Sequence, residues 1–237
     1  MIGYRTPLLP PLDLTVRAGT TLGVLGPNGA GKTALLKSLL GLLPLLGGKR
    51  ALPLGRSPRV GYVPQRDRLD TSWPLRVLDV VLMGRARLVG PLKRYNAADR
   101  DAACAALNEI GVGDLAERPL YALSGGQHQK VLIARAIAAE PEIIIFDEPT
   151  TGLAPIMGDV INDLIVKCVK DLGATAISIT HDMASARKIA DRIARIHKGR
   201  IIWNGKASEI DHSGNPFVDQ FIHGRAEGPI QMEIRAL

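Results

Sequence analysis

Cysteine is scarce. Cys104 and Cys168 are the two in 237 residues, they fall in segments that read as separate helices, and neither has a His or Cys partner at ligand spacing. A disulfide scaffold and a Cys/His zinc site are thereby excluded, and both thiols are expected to be reduced, as in a cytosolic protein. Long apolar runs are missing too. The most apolar stretch, residues 35–46, contains Lys37 and Pro44 and falls well short of the ~20 residues that a membrane-crossing helix needs. The N-terminus, MIGYRTPLLPP, places prolines where a secretory signal needs an apolar helical run, so export by that route is not expected. No internal repeat and no heptad run occurs, which excludes a long coiled coil.

What is present suffices for a full core. Hydrophobic residues make up 46% of the chain, and the length suits one domain, or one domain carrying a subdomain. The formal charge is +7, and the excess is local: residues 59–100 hold nine Arg or Lys against four Asp. Such a run usually only keeps a face solvated; the alternatives are contact with phosphate, lipid headgroups or nucleic acid.

Short β-branched or apolar runs ending in Gly or Pro alternate with longer helical patterns, the mark of a largely parallel sheet wrapped by helices. Strands are predicted at 21–25, 60–63, 143–146, 174–179 and 192–196, with helices at 32–43 and 183–190. Residues 77–83 and 97–110 have helical spacing and are separated by a turn at Gly90-Pro91. The whole chain, 1–237, therefore reads as a single domain. Residues 1–64 and 124–205 form an α/β core, 65–123 an inserted helical subdomain, and 206–237 a tail with one amphipathic helix at 216–223.

Residues 26–33, Gly26-Pro27-Asn28-Gly29-Ala30-Gly31-Lys32-Thr33, fit the pattern G-x-x-x-x-G-K-[ST] between a strand and a helix. Glycines let backbone N–H groups turn inward on phosphates, and the following helix adds the partial positive charge of its N-terminus. Lys32 is expected to reach the β- and γ-phosphates of a nucleotide, and the Thr33 hydroxyl to ligate Mg2+. A second half-site comes from Ile143-Ile144-Ile145-Phe146-Asp147-Glu148. Four apolar residues bury a strand, Asp147 emerges at its C-terminal end, and Glu148 points the other way along an extended chain. Asp147 is expected to ligate the metal and Glu148 to act as the general base on the attacking water.

Phosphate loops also occur in GTPases, kinases and helicases, so the choice rests on Leu123-Ser124-Gly125-Gly126-Gln127. Ser124 reads as a helix N-cap, and the two glycines let a γ-phosphate approach the backbone. With this segment the chain resembles the ATPase subunits of ABC transporters over nearly its whole length. The resemblance implies a P-loop NTPase core with a mostly parallel sheet, a small antiparallel β part and an inserted helical subdomain, and ATP and Mg2+ as ligands. It implies a second ATPase subunit, as a homodimer clamped head to tail around two ATP molecules, with residues 124–127 facing the partner's nucleotide. Transmembrane permease subunits, an accessory cytosolic subunit and a periplasmic substrate-binding protein complete the implied partners. Nucleic acid is not among them, and the implied location is the cytoplasmic face of the inner membrane. Residue by residue, Gln65 resembles the glutamine that senses Mg2+ and the γ-phosphate and links the core to the helical subdomain. His181, in Ile179-Thr180-His181-Asp182, resembles the histidine that contacts the γ-phosphate. Tyr4 is the aromatic expected to stack on adenine.

Family members usually place a strand ahead of that aromatic. Residues 1–3 leave no room for one, so either an edge strand is missing or the sequence begins upstream. The two halves resemble different subfamilies. Tyr62-Val63-Pro64-Gln65, Trp73-Pro74-Leu75 and the segment up to Leu123 are similar to ATPases of zinc and manganese importers. Thr151-Gly152-Leu153, residues 161–165, 180–186 and above all 217–229 are similar to ATPases of bacterial phospholipid-trafficking transporters. A junction near 136–141 is therefore expected, and phospholipid transport is the preferred reading, with zinc or manganese import as its alternative. A soluble ABC ATPase of DNA repair lacks its coiled coil here, and a translation factor would carry two phosphate loops. An inactive regulatory subunit is favoured only by Ala154, where the family usually has Asp. That Asp joins the two sites across the dimer, so slower turnover rather than lost binding is expected. Ala154→Asp should raise steady-state ATP hydrolysis, and an unchanged rate would remove the argument.

Overall fold

The computed structural model describes residues 2–3, 7–27, 29–51, 57–65, 74–90 and 93–230. Eight strands and eight helices follow in the order β1 (Ile2–Gly3), β2 (Pro7–Leu9), β3 (Thr21–Leu25), α1 (Lys32–Leu39), β4 (Val60–Val63), α2 (Val77–Met83), α3 (Ala86–Val89), α4 (Ala97–Glu109), α5 (Gly125–Ala138), β5 (Ile143–Asp147), α6 (Pro155–Leu172), β6 (Thr175–Thr180), α7 (Met183–Ile189), β7 (Arg192–His197), β8 (Arg200–Lys206) and α8 (Pro216–Ile222). The expected α/β fold is the fold found. Six strands form one sheet in the order β4-β5-β6-β3-β7-β8, all parallel except β8, which returns antiparallel beside β7.

Parallel inner strands are covered on both faces and so read as continuous apolar runs. In β5 successive residues serve opposite faces. Ile144 and Phe146 join a core built with α2, α4, α5 and α6. Ile145 joins the opposite core with Leu35 and Leu36 of α1. Register then decides what the strand ends bring together. Leu25 of β3 lies beside Thr180, Asp147 beside Ile179, and Val63 beside Phe146. The chain leaves β3, β4, β5 and β6 along one edge, and the loops carrying residues 26–31, Gln65, Glu148 and His181 all start there.

Between β4 and α5 the described residues form helices and turns, with an isolated bridge between Arg76 and Pro119. Helix α5 carries this helical subdomain into the core, burying Val131, Leu132, Ile133 and Ala134. Close approach depends on glycine at one point: a Cβ on Gly84 would run into the Arg135 carbonyl oxygen of α5. Part of the basic run is spent on internal ion pairs. Arg85 reaches Asp99 at 2.8 Å and Glu140 at 3.0 Å, and Arg76 reaches Glu117 at 2.7 Å.

Several details differ from the sequence reading, which named neither strand β8 nor helix α6. Helix α1 stops at Leu39, because Gly41 adopts φ 75° and the Gly41 and Leu42 N–H groups fold back on the Ser38 and Lys37 carbonyls. A short helix, α3, precedes Gly90. A strand does precede Tyr4: Ile2–Gly3 pairs antiparallel with Pro7–Leu9, outside the main sheet. Tyr4, Asn28 and Pro91 themselves lie outside the described residues. No helix among those described is long and apolar enough to cross a membrane.

Candidate functional site

The turn after β3 is built for close approach. Gly29 and Gly31 adopt φ 79° and 95°, which side chains other than glycine rarely tolerate. A Cβ on Gly31 would also run into Leu9, and one on Gly26 would meet the Ile196 carbonyl oxygen at 2.9 Å. Pro27 and Ala30 close the turn through an Ala30 N–H bond to the Pro27 carbonyl at 3.2 Å. Helix α1 then begins with no side-chain cap and no acid in its first turn, which leaves its N-terminal N–H groups and positive end facing the loop. Thr33 is exposed on that first turn.

Lys32 is buried. Its Nζ donates to the carbonyl oxygens of Gly26 at 2.7 Å and Pro27 at 3.2 Å, and lies 3.7 Å from Glu148 Oε1. Burial pulls its pKa below the ordinary lysine value; Glu148 and Asp147 oppose the shift and Arg195 adds to it. Asp147 is also buried, and its Oδ2 accepts from the Tyr62 hydroxyl at 3.2 Å. Burial raises the Asp147 carboxyl above the usual range, against the Tyr62 bond. The Tyr62 phenol is pushed up to about 12 by burial and by Asp147.

Glu148 gathers the other groups. Its backbone sits in the left-handed region at φ 49°, and its N–H donates to the Ile179 carbonyl at 2.8 Å. Its buried Oε2 accepts from Gln65 Nε2 at 2.8 Å and from Thr151 Oγ1 at 3.1 Å, and lies 3.3 Å from Nδ1 of the half-exposed His181. The structure thus brings Lys32, Gln65, Asp147, Glu148 and His181 into one cluster. A second network ties α6 to the start of α7: Asn162 donates to Ser185 Oγ at 2.9 Å, and Ser185 Oγ donates to Asp182 at 2.6 Å. Burial would raise the Asp182 carboxyl, but its bonds from Ser185 and Ala184 hold it below the usual range.

Residues 124–127 lie apart from this cluster. Ser124 Oγ accepts from the Gln127 N–H at 3.3 Å, and Gln127 Oε1 accepts from the Ser124 N–H at 3.0 Å, a reciprocal cap that sequence reasoning had assigned to Ser124 alone. Gly125 and Gly126 pack beside Leu153 and Met157 at the start of α6. Ala154 stands at the N-cap of α6 and gives it no side-chain bond. Tyr62 and Thr151 were missed as site residues. Tyr62 had been quoted only within a strand and a subfamily likeness, and its bearing on Asp147 follows from the β4–β5 pairing.

The donors suit Mg2+. Among the described residues no group of three or more His, Cys, Asp or Glu is placed to hold a metal. One carboxylate, Asp147, with the Thr33 hydroxyl and the Gln65 amide offers oxygens only. That is the sparse, hard set with which Mg2+ is held when phosphates complete its coordination.

A family model described as ABC transporter matches residues 9–151. The manganese transport system ATP-binding protein MntB of Bacillus subtilis (strain 168) is 39% identical over 203 residues, which cover 84% of this chain and 80% of that protein. The zinc transport system ATP-binding protein TroB of Treponema pallidum (strain Nichols) is 35% identical over 209 residues, covering 86% and 78%. A solved metal-chelate type ABC transporter in an inward-facing conformation superposes with a TM-score of 0.77 at 33% identity, covering 84% of this chain and 76% of that one. An alignment over 86% of the chain necessarily runs through residues 136–141 and far beyond on both sides. The junction expected there is corrected accordingly, and the phospholipid reading falls with it. The tail residues that suggested it are engaged within the chain. Phe217 packs on His197 with centroids 5.2 Å apart, and Gln220 binds the Ile230 backbone at 2.6 and 3.0 Å.

Because the folded chain holds the Asp147 proton more tightly than the unfolded one, its stability contribution is full below the ordinary carboxylate range and is lost as pH rises through the raised value. Asp147→Asn should therefore melt above the wild type at neutral pH without nucleotide. Thermal melts should show the difference closing as pH falls to the ordinary carboxylate range.

Proposed function

The chain belongs to the ABC transporter family as its ATP-binding, ATP-hydrolysing subunit, and from that premise we propose that it drives import of a divalent transition metal of the manganese or zinc class. The observation that carries this reading is the extent of the likeness. Relatives named for manganese and zinc transport match 84% and 86% of the chain, which takes in the whole helical segment and runs well past residue 141. ABC ATPases dimerise and work with transmembrane permease subunits. For this chain we assign a homodimer at the cytoplasmic face of the membrane, held there by its permease and served by a periplasmic metal-binding protein.

The proposed roles follow from the geometry. Nucleotide phosphates would draw Lys32 away from the Gly26 and Pro27 carbonyls and take the inward N–H groups of 26–33 and α1. Thr33, Gln65 and Asp147 would hold Mg2+, which when bound neutralises charge on the phosphates. Tyr62 keeps the Asp147 carboxylate oriented. Glu148 polarises the attacking water, with His181 beside it and Gln65 reporting to the helical segment. Residues 124–127 would face the nucleotide of the second subunit, and Tyr4 the adenine. The test is uptake of radioactive manganese or zinc by vesicles that hold this chain with its permease. Uptake that requires Mg-ATP is expected; ATP-driven movement of labelled phospholipid without metal uptake would contradict the reading.

A further inference from the structure

Behind the phosphate loop lies a charge that the proposed chemistry does not use. Arg195 of β7 is completely buried. Its Nη1 donates to the Ile196 carbonyl oxygen at 2.8 Å, where the β7–β8 register shifts. Its Nε and Nη2 are buried with no hydrogen-bond partner among the described residues. Burial lowers its pKa to about 10, and a guanidinium stays charged at neutral pH. Phe221 of α8 covers its face, 3.8 Å from Cζ to the ring centroid. Its edge lies against the loop: a Cβ on Gly26 would sit 3.5 Å from Nη1.

Burying a cation without a counter-charge is costly, and a cation–π contact offsets only part of that cost. If this position served only to seat α8, an apolar side chain would do so without the penalty, as Ile193 and Val218 do in the same cluster. The unmet charge points to an anion, and the anion-taking feature beside it is the loop that opens at Gly26. A charge acting through protein rather than water is weakly screened.

We propose that Arg195 is a positioning cation of the nucleotide site, held behind Gly26 by Phe221, which raises affinity for the polyphosphate across the loop without touching it. This rests on the reading that residues 26–33 take the nucleotide phosphates. The test is calorimetric titration of the full chain with Mg-ATP and Mg-ADP, beside thermal melts without nucleotide. Arg195→Met, which keeps the bulk and removes the charge, should weaken ATP binding by about tenfold and ADP binding less. Without nucleotide, Arg195→Met should melt no lower than the wild type, because an unpaired buried charge has been removed. Wild-type ATP affinity in Arg195→Met, or a lower melting point for Arg195→Met, would each overturn the proposal. Lys32→Ala separates the two readings: if it too binds ATP as the wild type does, the reading of the loop itself has failed.

Discussion

Four segments of the chain meet at one buried carboxylate. Glu148 receives Gln65 from the end of β4 and Thr151 from its own loop, with Lys32 of α1 and His181 beyond β6 close by. Its backbone is held in the left-handed region, at a cost of roughly 1–3 kcal/mol. That conformation persists because the Ile179 carbonyl fixes the Glu148 N–H while the side-chain donors fix the other end. A carboxylate with several competing partners is poised to exchange them. In the proposed mechanism a polyphosphate would compete for Lys32 and so loosen one of the glutamate's ties.

The convergence depends on strand register. One residue of slip between β5 and β6 would turn every side chain of β5 to the other face, carrying Asp147 and Glu148 away from the loop at Gly26. The register is secured by the two apolar cores that Ile144, Ile145 and Phe146 serve from opposite sides. Surface ion pairs such as Arg187 with Asp211 and Lys188 with Asp163 add little, since both partners are largely in water. Gln65 stands where β4 leaves for the helical segment, so its bond to Glu148 joins that segment's entry to the cluster.

Much of this was legible in the sequence. Apolar runs ending in Gly or Pro placed the main strands within a residue or so, and the glycine spacing of 26–33 placed the loop. Motif positions named Lys32, Gln65, Asp147, Glu148 and His181 before any coordinates brought them together. What was not legible depended on contacts between distant segments. Tyr62 reaches Asp147 only through cross-strand pairing, and Arg195 meets Phe221 only because α8 folds back over β7. The end of α1 was missed because Gly41 was read as part of an apolar run rather than as a left-handed cap. The tail misled for a related reason: Phe217, Gln220 and Phe221 form a distinctive string, but each contacts β7 or the tail of this same chain.

The proposed hydrolysis depends on Glu148 as the group that activates water, separate from the groups proposed to bind nucleotide. Single-turnover hydrolysis of Mg-ATP by Glu148→Gln, measured beside its ATP affinity, tests this most directly. The prediction is a fall in the hydrolysis rate of about 100-fold or more with ATP binding retained. Hydrolysis at the wild-type rate, with Glu148 replaced by a side chain that cannot take a proton, would contradict it.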